Sequence, residues 1–307
     1  MHRFILNRLL WGIPVLWTVA TITFIIMHIV PGGPFDTEKQ LPPEIVANIE
    51  EKYYLDKPLY AQYLLYMRNL LLGDLGPSYK YLGRTVNDVI ADTFPVSLQL
   101  GVIAFTLSII VGIGSGVLSA TAREKAKWLD QLSMLTAIGG VSIPHFVLAA
   151  LLILIFSQTF NLFPPALWEG WRYMVLPALS LAAAPAAYIT RLMRSTLLEV
   201  LKEDYIRTAY AGGLSKSSIL FRHALKNALT PLVTFSGPLF AGLITGSFII
   251  EYIFSIPGMG KYFVTAVINR DYPLIMGVTL VYALLIVLVN LAVDLIYFIV
   301  DPRIRRE

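Results

Sequence analysis

Few side chains in this chain have the type and spacing for chemistry. Ser142 and His145, within Gly140-Val-Ser142-Ile-Pro144-His145, place a hydroxyl three residues before an imidazole. A serine nucleophile and its base need a convergent geometry and an oxyanion hole, whereas these two sit on one helix. An intramembrane hydrolase is disfavoured on that ground. Asp294, with Asn290 four residues earlier on the same face, is the one carboxylate within the last apolar span; His28 and His145 lie near span ends. A proton-coupled carrier normally uses a relay of several such groups. Asp294 therefore reads as structural, pairing with a basic group or with helix ends. The chain has no cysteine, so disulfides, thiolate metal sites and cysteine nucleophiles are excluded. HExxH and a glycine-rich loop ending in Lys-Ser/Thr are also missing. We expect no catalytic residue, no metal site and no cofactor or nucleotide site in this chain.

Whatever the chain does must then follow from how its apolar elements are arranged. Of 307 residues, 56% are hydrophobic and 14% charged, and the mean hydropathy is +0.67. A soluble domain of that composition has too little polar surface to stay dissolved, so lipid is the solvent for most of it. Six stretches are long enough to cross a bilayer as helices: Leu9–Val30, Val96–Ala120, Leu132–Phe156, Tyr173–Met193, Leu229–Ile250 and Leu274–Val300. Ten-residue alternating segments, the mark of a membrane β-barrel, are not seen. The first stretch is followed by Pro31-Gly-Gly-Pro34 rather than a small-x-small cleavage site and reads as a retained helix.

Basic residues fix the expected orientation. Fifteen Lys and Arg flank the spans on one side, against Arg172, Lys261 and Arg270 in the short loops of the other. The long loop 31–95 has six basic residues and more acidic ones. Both termini are expected in the cytoplasm. The net charge of +4 is mostly this topological bias and needs no nucleic-acid partner.

No boundary to a soluble domain is visible, so residues 1–307 read as one membrane domain. Loop 31–95 reads as two short helices. Pro43-Glu44 opens one with Ile45, Ile49 and Tyr53 on one face, and Tyr60–Leu72 forms another that stops at Gly73. It serves as a packed cap on the bundle, a docking surface for an external partner, or both. Within the spans, Gly112, Gly114 and Gly116, and Gly242 with Gly246 four residues later, let helix backbones approach closely. Pro144, Pro177, Pro185 and Pro238 should each bend their helix. Dense packing alone explains these residues; a pathway lined by bent helices is the alternative.

The segment 194–228 separates two spans and is basic. Ser195–Gly212 has helix-forming content, with Leu197, Leu198, Leu201 and Tyr205 apolar at helical spacing. Gly213 suits the left-handed conformation that ends a helix, and Ser215 suits the cap of the next. Ala209 and Ala211 leave room for a partner to approach the backbone, and Arg207 offers a fork of donors. Composition alone fits an ordinary amphipathic surface helix equally well.

In order along the chain stand Arg8-Leu-Leu, Ile29-Val-Pro31-Gly-Gly-Pro34, Leu72-Gly73-Asp74-Leu75-Gly76 and Phe94-Pro95. Glu203-Asp-Tyr-Ile-Arg-Thr-Ala-x-Ala-x-Gly-Leu214 and Arg222-His-Ala-Leu-Lys-Asn-Ala-Leu-Thr-Pro231 follow. Glu251-x-Ile-Phe-Ser-x-Pro257-Gly-x-Gly260, Asn269-Arg-Asp-Tyr-Pro273 and Asp301-Pro-Arg-Ile304 complete the series. Over nearly its whole length the chain resembles the B-type permease subunit of bacterial oligopeptide/dipeptide ABC importers. Arg207-Thr208-Ala209 stands where the wider permease pattern has Glu-Ala-Ala, a variant similar to the peptide-transporter branch.

The resemblance implies an all-α membrane protein with six transmembrane helices, the type I ABC importer permease fold and a cytoplasmic coupling helix. It implies a heterodimer with a second related permease, two ATP-binding subunits that hold ATP and magnesium, and an extracytoplasmic peptide-binding protein that delivers the peptide substrate. It also implies that Tyr205, Arg207, Thr208, Ala209, Tyr210, Ala211, Gly213 and Leu214 form the contact with an ATPase. An ion-coupled secondary peptide carrier is the alternative, disfavoured by the single deep carboxylate and the lack of visible inverted repeats.

Overall fold

The structure, a computed structural model, describes residues 2–30, 53–123 and 126–300. The expected helix around Glu44, Ile45 and Ile49 lies outside the described residues. Among those described, the regular structure is helical apart from an isolated antiparallel bridge between Pro77 and Thr85. Five helices are long and apolar enough to cross a membrane, and a sharply bent pair supplies a sixth crossing if it counts as one span.

The helices fall into two compact units. The first takes its residues from Met1–Ser97 and Pro257–Leu291. It holds α1 (His2–Ile29), α2 (Leu59–Leu71), the start of α3 (Val86–Ala122), α12 (Met259–Asn269) and most of α13 (Tyr272–Val300). Its core gathers Val86, Val89, Met259, Leu274 and Val278, each buried to 0% exposure. α2 ends as expected at Gly73, whose φ of +76° no other residue type adopts so readily. There the Gly73 amide donates to Leu70 O at 3.0 Å and the Asp74 amide to Asn69 O at 2.9 Å.

A second such stop separates α12 from α13, with Arg270 rather than glycine in the left-handed position at φ +56°. Asp271 after it is fully buried. Its carboxylate accepts hydrogen bonds from the Ser78 hydroxyl, from the Tyr79 amide at 3.1 Å and from the Leu274 amide at 3.4 Å. These contacts tie the loop before α3 to the start of α13. They supply the acceptors a buried carboxylate would otherwise lack.

The second unit, Leu98–Ile256 with Ala292–Glu307, contains the rest of α3 and the helices that follow it. These are α4 (Lys127–Ser142), α5 (His145–Leu152, continued by a π-helical turn Ile153–Thr159), α6 (Trp171–Val200) and α7 (Asp204–Ala211). After them come α8 (Lys216–Ser218), a π-helical turn Ile219–Ala224, α9 (Leu225–Ala228), α10 (Thr230–Thr245) and α11 (Phe248–Ile253).

One expectation fails here. Leu132–Phe156 is not one helix: α4 and α5 meet at 107°. Pro144 has no amide to donate, and it drives Ile143 into an extended conformation at ψ 120°. Ser142 thus ends one helix and His145 begins the next, so the two do not share a helix as the sequence suggested. Pro177, Pro185 and Pro238 stand inside helices that continue past them.

Small residues bring α3 against α6. A Cβ at Gly112 would lie 2.5 Å from Ile189 Cγ2 and 3.0 Å from Ala186 O, and one at Gly116 would lie 2.6 Å from Met193 Cβ. Backbones this close gain dispersion contacts without any water-driven term, which suits packing in lipid. Gly242 and Gly246 differ. A Cβ at Gly242 meets nothing within 4 Å, and at Gly246 it meets only the Gly242 carbonyl one turn back. Their spacing marks no close helix–helix approach among the described residues.

Candidate functional site

The segment after α6 folds as a short helix held by its inner face. α6 runs to Val200, so Ser195–Gly212 is not a single helix. Turns close Leu201 onto Leu197 at 3.0 Å and Glu203 onto Val200 at 3.1 Å before α7 begins. On α7, Ile206 is fully buried, and Ala209, one turn later, is half-buried against the same cluster. That cluster includes Met193 and Leu197 of α6, Ala120 of α3, and Ile219, Ala224 and Ala228. Burying one such isoleucine contributes on the order of 1.5–3 kcal/mol, enough to fix the face of an eight-residue helix.

The small size of Ala209 is thereby explained from within. It packs inward, whereas its sequence context suggested a surface open to a partner. The outward face is formed by the other residues: Tyr205, Arg207, Thr208, Tyr210 and Ala211 are exposed, as are Gly213 and Leu214 just beyond. Tyr205 and Tyr210 are 42% and 46% exposed, so two aromatic side chains with polar tips stand on the outward face. Arg207 pairs with Asp204 at 3.3 Å on the open surface, where such a pair contributes little and leaves the guanidinium available. The Tyr205 hydroxyl accepts from Asn227 Nδ2 at 2.7 Å, binding α7 to the returning segment.

α7 ends in a Schellman motif. Leu214 donates its amide to Ala209 O at 3.2 Å and Gly213 to Tyr210 O at 3.0 Å, with Gly213 at φ +79°. Ser215 then accepts from the Ser218 amide at 3.3 Å and caps the next turn. The product is a helix, a tight turn and a second helix, with a polar and aromatic ridge facing outward.

What holds this element in place includes a feature the sequence reading missed. Asp130 on α4 receives Arg194 Nε at 2.6 Å and Nη2 at 2.8 Å, and also the Ser119 hydroxyl from α3. Both side chains are largely withdrawn from solvent, so three helices are joined next to the cluster that seats Ile206. Arg194 had entered the sequence reading only as one of many basic residues. An acid two residues before the Leu132–Phe156 stretch, on a mostly basic flank, is the signal that could have found the pair.

The other residues singled out do not assemble into a site. Ser142 is exposed and shares no hydrogen bond with His145 among the described residues. Asp294 is half-buried on α13 and Asn290 exposed. His28 directs Nδ1 at Phe24 O, 2.8 Å away, and Nε2 at Gln62 Oε1, 3.2 Å away. The described residues include no group of three or more His, Cys, Asp or Glu able to hold a metal ion.

Comparison with known proteins agrees with this architecture. Residues 108–306 match the family model described as binding-protein-dependent transport system inner membrane component, and residues 1–101 match that family's N-terminal model. The oligopeptide transport system permease protein OppB of Haemophilus influenzae is 46% identical, across 99% of this chain and 100% of its own. The dipeptide transport system permease protein DppB of Bacillus subtilis is 44% identical, across 99% and 98%. Among solved structures, an inward-facing MetNI methionine ABC transporter superposes with a TM-score of 0.59 at 20% identity, over 69% of this chain and 96% of that one. At that identity the likeness speaks for the fold.

Proposed function

The chain belongs to the binding-protein-dependent transport system inner membrane components, and on that premise we propose that it is the permease subunit of an ATP-driven oligopeptide importer. The observation that carries the reading is full-length similarity to oligopeptide and dipeptide permeases, joined to an α7 that is anchored on one face and open on the other. The permease is not itself the enzyme. Two ATP-binding subunits hydrolyse ATP with magnesium, a second related permease completes the pathway, and an extracytoplasmic protein delivers peptide.

In this reading the exposed face of α7 sits in a cleft of one ATPase. Closure of the ATPase pair pushes on Tyr205, Arg207, Tyr210 and Leu214. The Ile206 anchor passes that displacement to α6 and α3, and the bundle shifts between outward- and inward-open states. The bias toward each state comes from differential contact with the ATPases, so no continuous pore is needed. Both termini and α7 lie in the cytoplasm, as the basic residues direct. Gly242 and Gly246, which approach no other helix among the described residues, are available to the partner permease.

Reconstitution tests the proposal. With the ATPases, second permease and binding protein in proteoliposomes, peptide uptake should require ATP on the α7 side and persist without an ion gradient. Uptake that follows a proton gradient and ignores ATP would return the secondary-carrier reading. Orientation is checked separately on the cysteine-free background. Leu82→Cys should react with an impermeant thiol reagent in intact cells, and Ser217→Cys only after lysis.

A further inference from the structure

The first unit contains a cavity of about 150 Å³ between the end of α1, α2, the loop before α3 and the first turn of α13. Six aromatic rings line it: Phe24, Tyr53, Tyr54, Tyr66, Tyr79 and Tyr272. Five of them meet in two groups. Phe24 stacks on Tyr66 with centroids 5.8 Å apart, Tyr53 meets Tyr79 edge-on at 4.7 Å, and Tyr79 stands 6.4 Å from Tyr272. This enclosure is much smaller than the ~300–1,000 Å³ of a drug-sized site. It suits a headgroup of a few heavy atoms.

The electrostatics of the wall favour one sign. Among the described residues no Lys or Arg lines the cavity, and the carboxylate in its lining is Asp74. One Asp74 oxygen accepts from the Gly76 amide at 2.8 Å, and no partner takes the other among the described residues. Behind Tyr79 lies the buried Asp271 carboxylate. Burial, and then the charge of Asp271, push the Tyr79 hydroxyl well above the usual tyrosine range, so the ring stays neutral and its face electron-rich. His28 also lines the cavity; its Nδ1 faces Phe24 O and its Nε2 faces Gln62 Oε1, and a neutral imidazole, with a single N–H, donates to one of the two. At the rim the chain already uses one ring in this manner: the Lys57 ammonium lies 4.2 Å from the Tyr54 centroid. Ring quadrupoles attract cations placed over their faces, and a cage of several rings is how quaternary ammonium groups are recognised.

We propose that this cavity binds a small organic ammonium group, from a free amine in solution or from the headgroup of a lipid. The inference stands apart from the transport reading. Its test uses the full-length chain in nanodiscs of phosphatidylglycerol, which carries no ammonium, in phosphate buffer. Choline and its neutral isostere 3,3-dimethylbutan-1-ol are titrated by ligand-observed NMR. With the response of protein-free nanodiscs of the same lipid subtracted, choline should bind at least about tenfold more tightly than the isostere, and Tyr272→Leu and Asp74→Asn should each weaken it several-fold. Adding phosphatidylcholine to the nanodiscs separates the sources. Loss of the response to free choline assigns the site to a lipid headgroup, and an unchanged response assigns it to a free amine. Equal affinity for choline and the isostere, or no binding of either, overturns the proposal. That comparison needs no variant, so a misfolded mutant cannot rescue it.

Discussion

Arg194 on α6 holds Asp130 on α4 through two near-parallel hydrogen bonds, Nε to Oδ1 at 2.6 Å and Nη2 to Oδ2 at 2.8 Å. The fork geometry is specific to arginine, and the Ser119 hydroxyl satisfies the same carboxylate from α3. The contact fixes the helix ends from which α7 departs.

Removing one partner leaves the other charge withdrawn from water. For fully buried pairs that costs about 3–5 kcal/mol. The Arg194 and Asp130 side chains keep 24% and 13% exposure, so the penalty is discounted. Arg194→Ala should lower stability by about 2–3 kcal/mol, and Arg194→Lys should recover only part of it. Thermal unfolding in detergent measures both, and an unchanged midpoint for Arg194→Ala would show that the pair is ornamental.

The glycines make a prediction of opposite signs. Gly112→Ala places a methyl group 2.5 Å from Ile189 Cγ2 and should destabilise the chain by about 1–3 kcal/mol. Gly242→Ala meets open space inside a helix, where alanine is favoured over glycine by roughly 0.5–1 kcal/mol. The isolated chain should therefore tolerate or gain from Gly242→Ala. If the assembled complex alone is harmed, the second permease packs there. Equal destabilisation of the isolated chain by both would contradict the close approach of α3 and α6.

Tyr66 carries a buried hydroxyl with no hydrogen-bond partner among the described residues. Burial pushes its ionisation well above the usual tyrosine range. Tyr66→Phe removes an unsatisfied group whose burial costs about 1–3 kcal/mol. The variant should unfold at the same temperature or higher. A clear drop in its midpoint would mean that the hydroxyl is satisfied after all.

Much of this was legible in the sequence, for identifiable reasons. Apolar length revealed the spans, and Gly73 and Gly213 revealed two helix stops because few other residues adopt a positive φ cheaply. Local rules ran out where distant segments meet. Helical spacing puts Ala209 on the same face as Ile206, but that this face is buried depends on Met193 and Ala224 being underneath. The Arg194–Asp130 pair spans 64 residues, and Asp271 reaches Ser78 across 193. Pro144 was visible, but whether a proline bends or breaks a helix rests on neighbours; Pro177 and Pro185 are held within α6.

Gly213 should resist a side chain through its backbone alone, since a Cβ there meets nothing within 4 Å but φ is +79°. Gly213→Val should cost about 1–3 kcal/mol of local strain and disturb the turn after α7, while Gly213→Asn, which tolerates that region, should be milder. Proteolysis of the 204–218 segment reports the difference. Equal susceptibility of both variants to the protease would count against the strained turn.

The central claim is that the exposed face of α7 transmits ATPase closure to the bundle. Tyr210 is 46% exposed and lies off the core that seats Ile206, so Tyr210→Asp should leave the fold intact while placing a charge at the contact. A charge that must be desolvated without a partner is penalised by several kcal/mol. The decisive measurement is ATP-driven peptide uptake and peptide-stimulated ATP hydrolysis by the reconstituted complex, with the unfolding temperature and peptide capture as controls. The account predicts loss of uptake and of peptide-stimulated hydrolysis while both controls stay at wild-type values. Wild-type uptake and stimulation in the Tyr210→Asp complex would contradict it and leave α7 an ordinary surface helix.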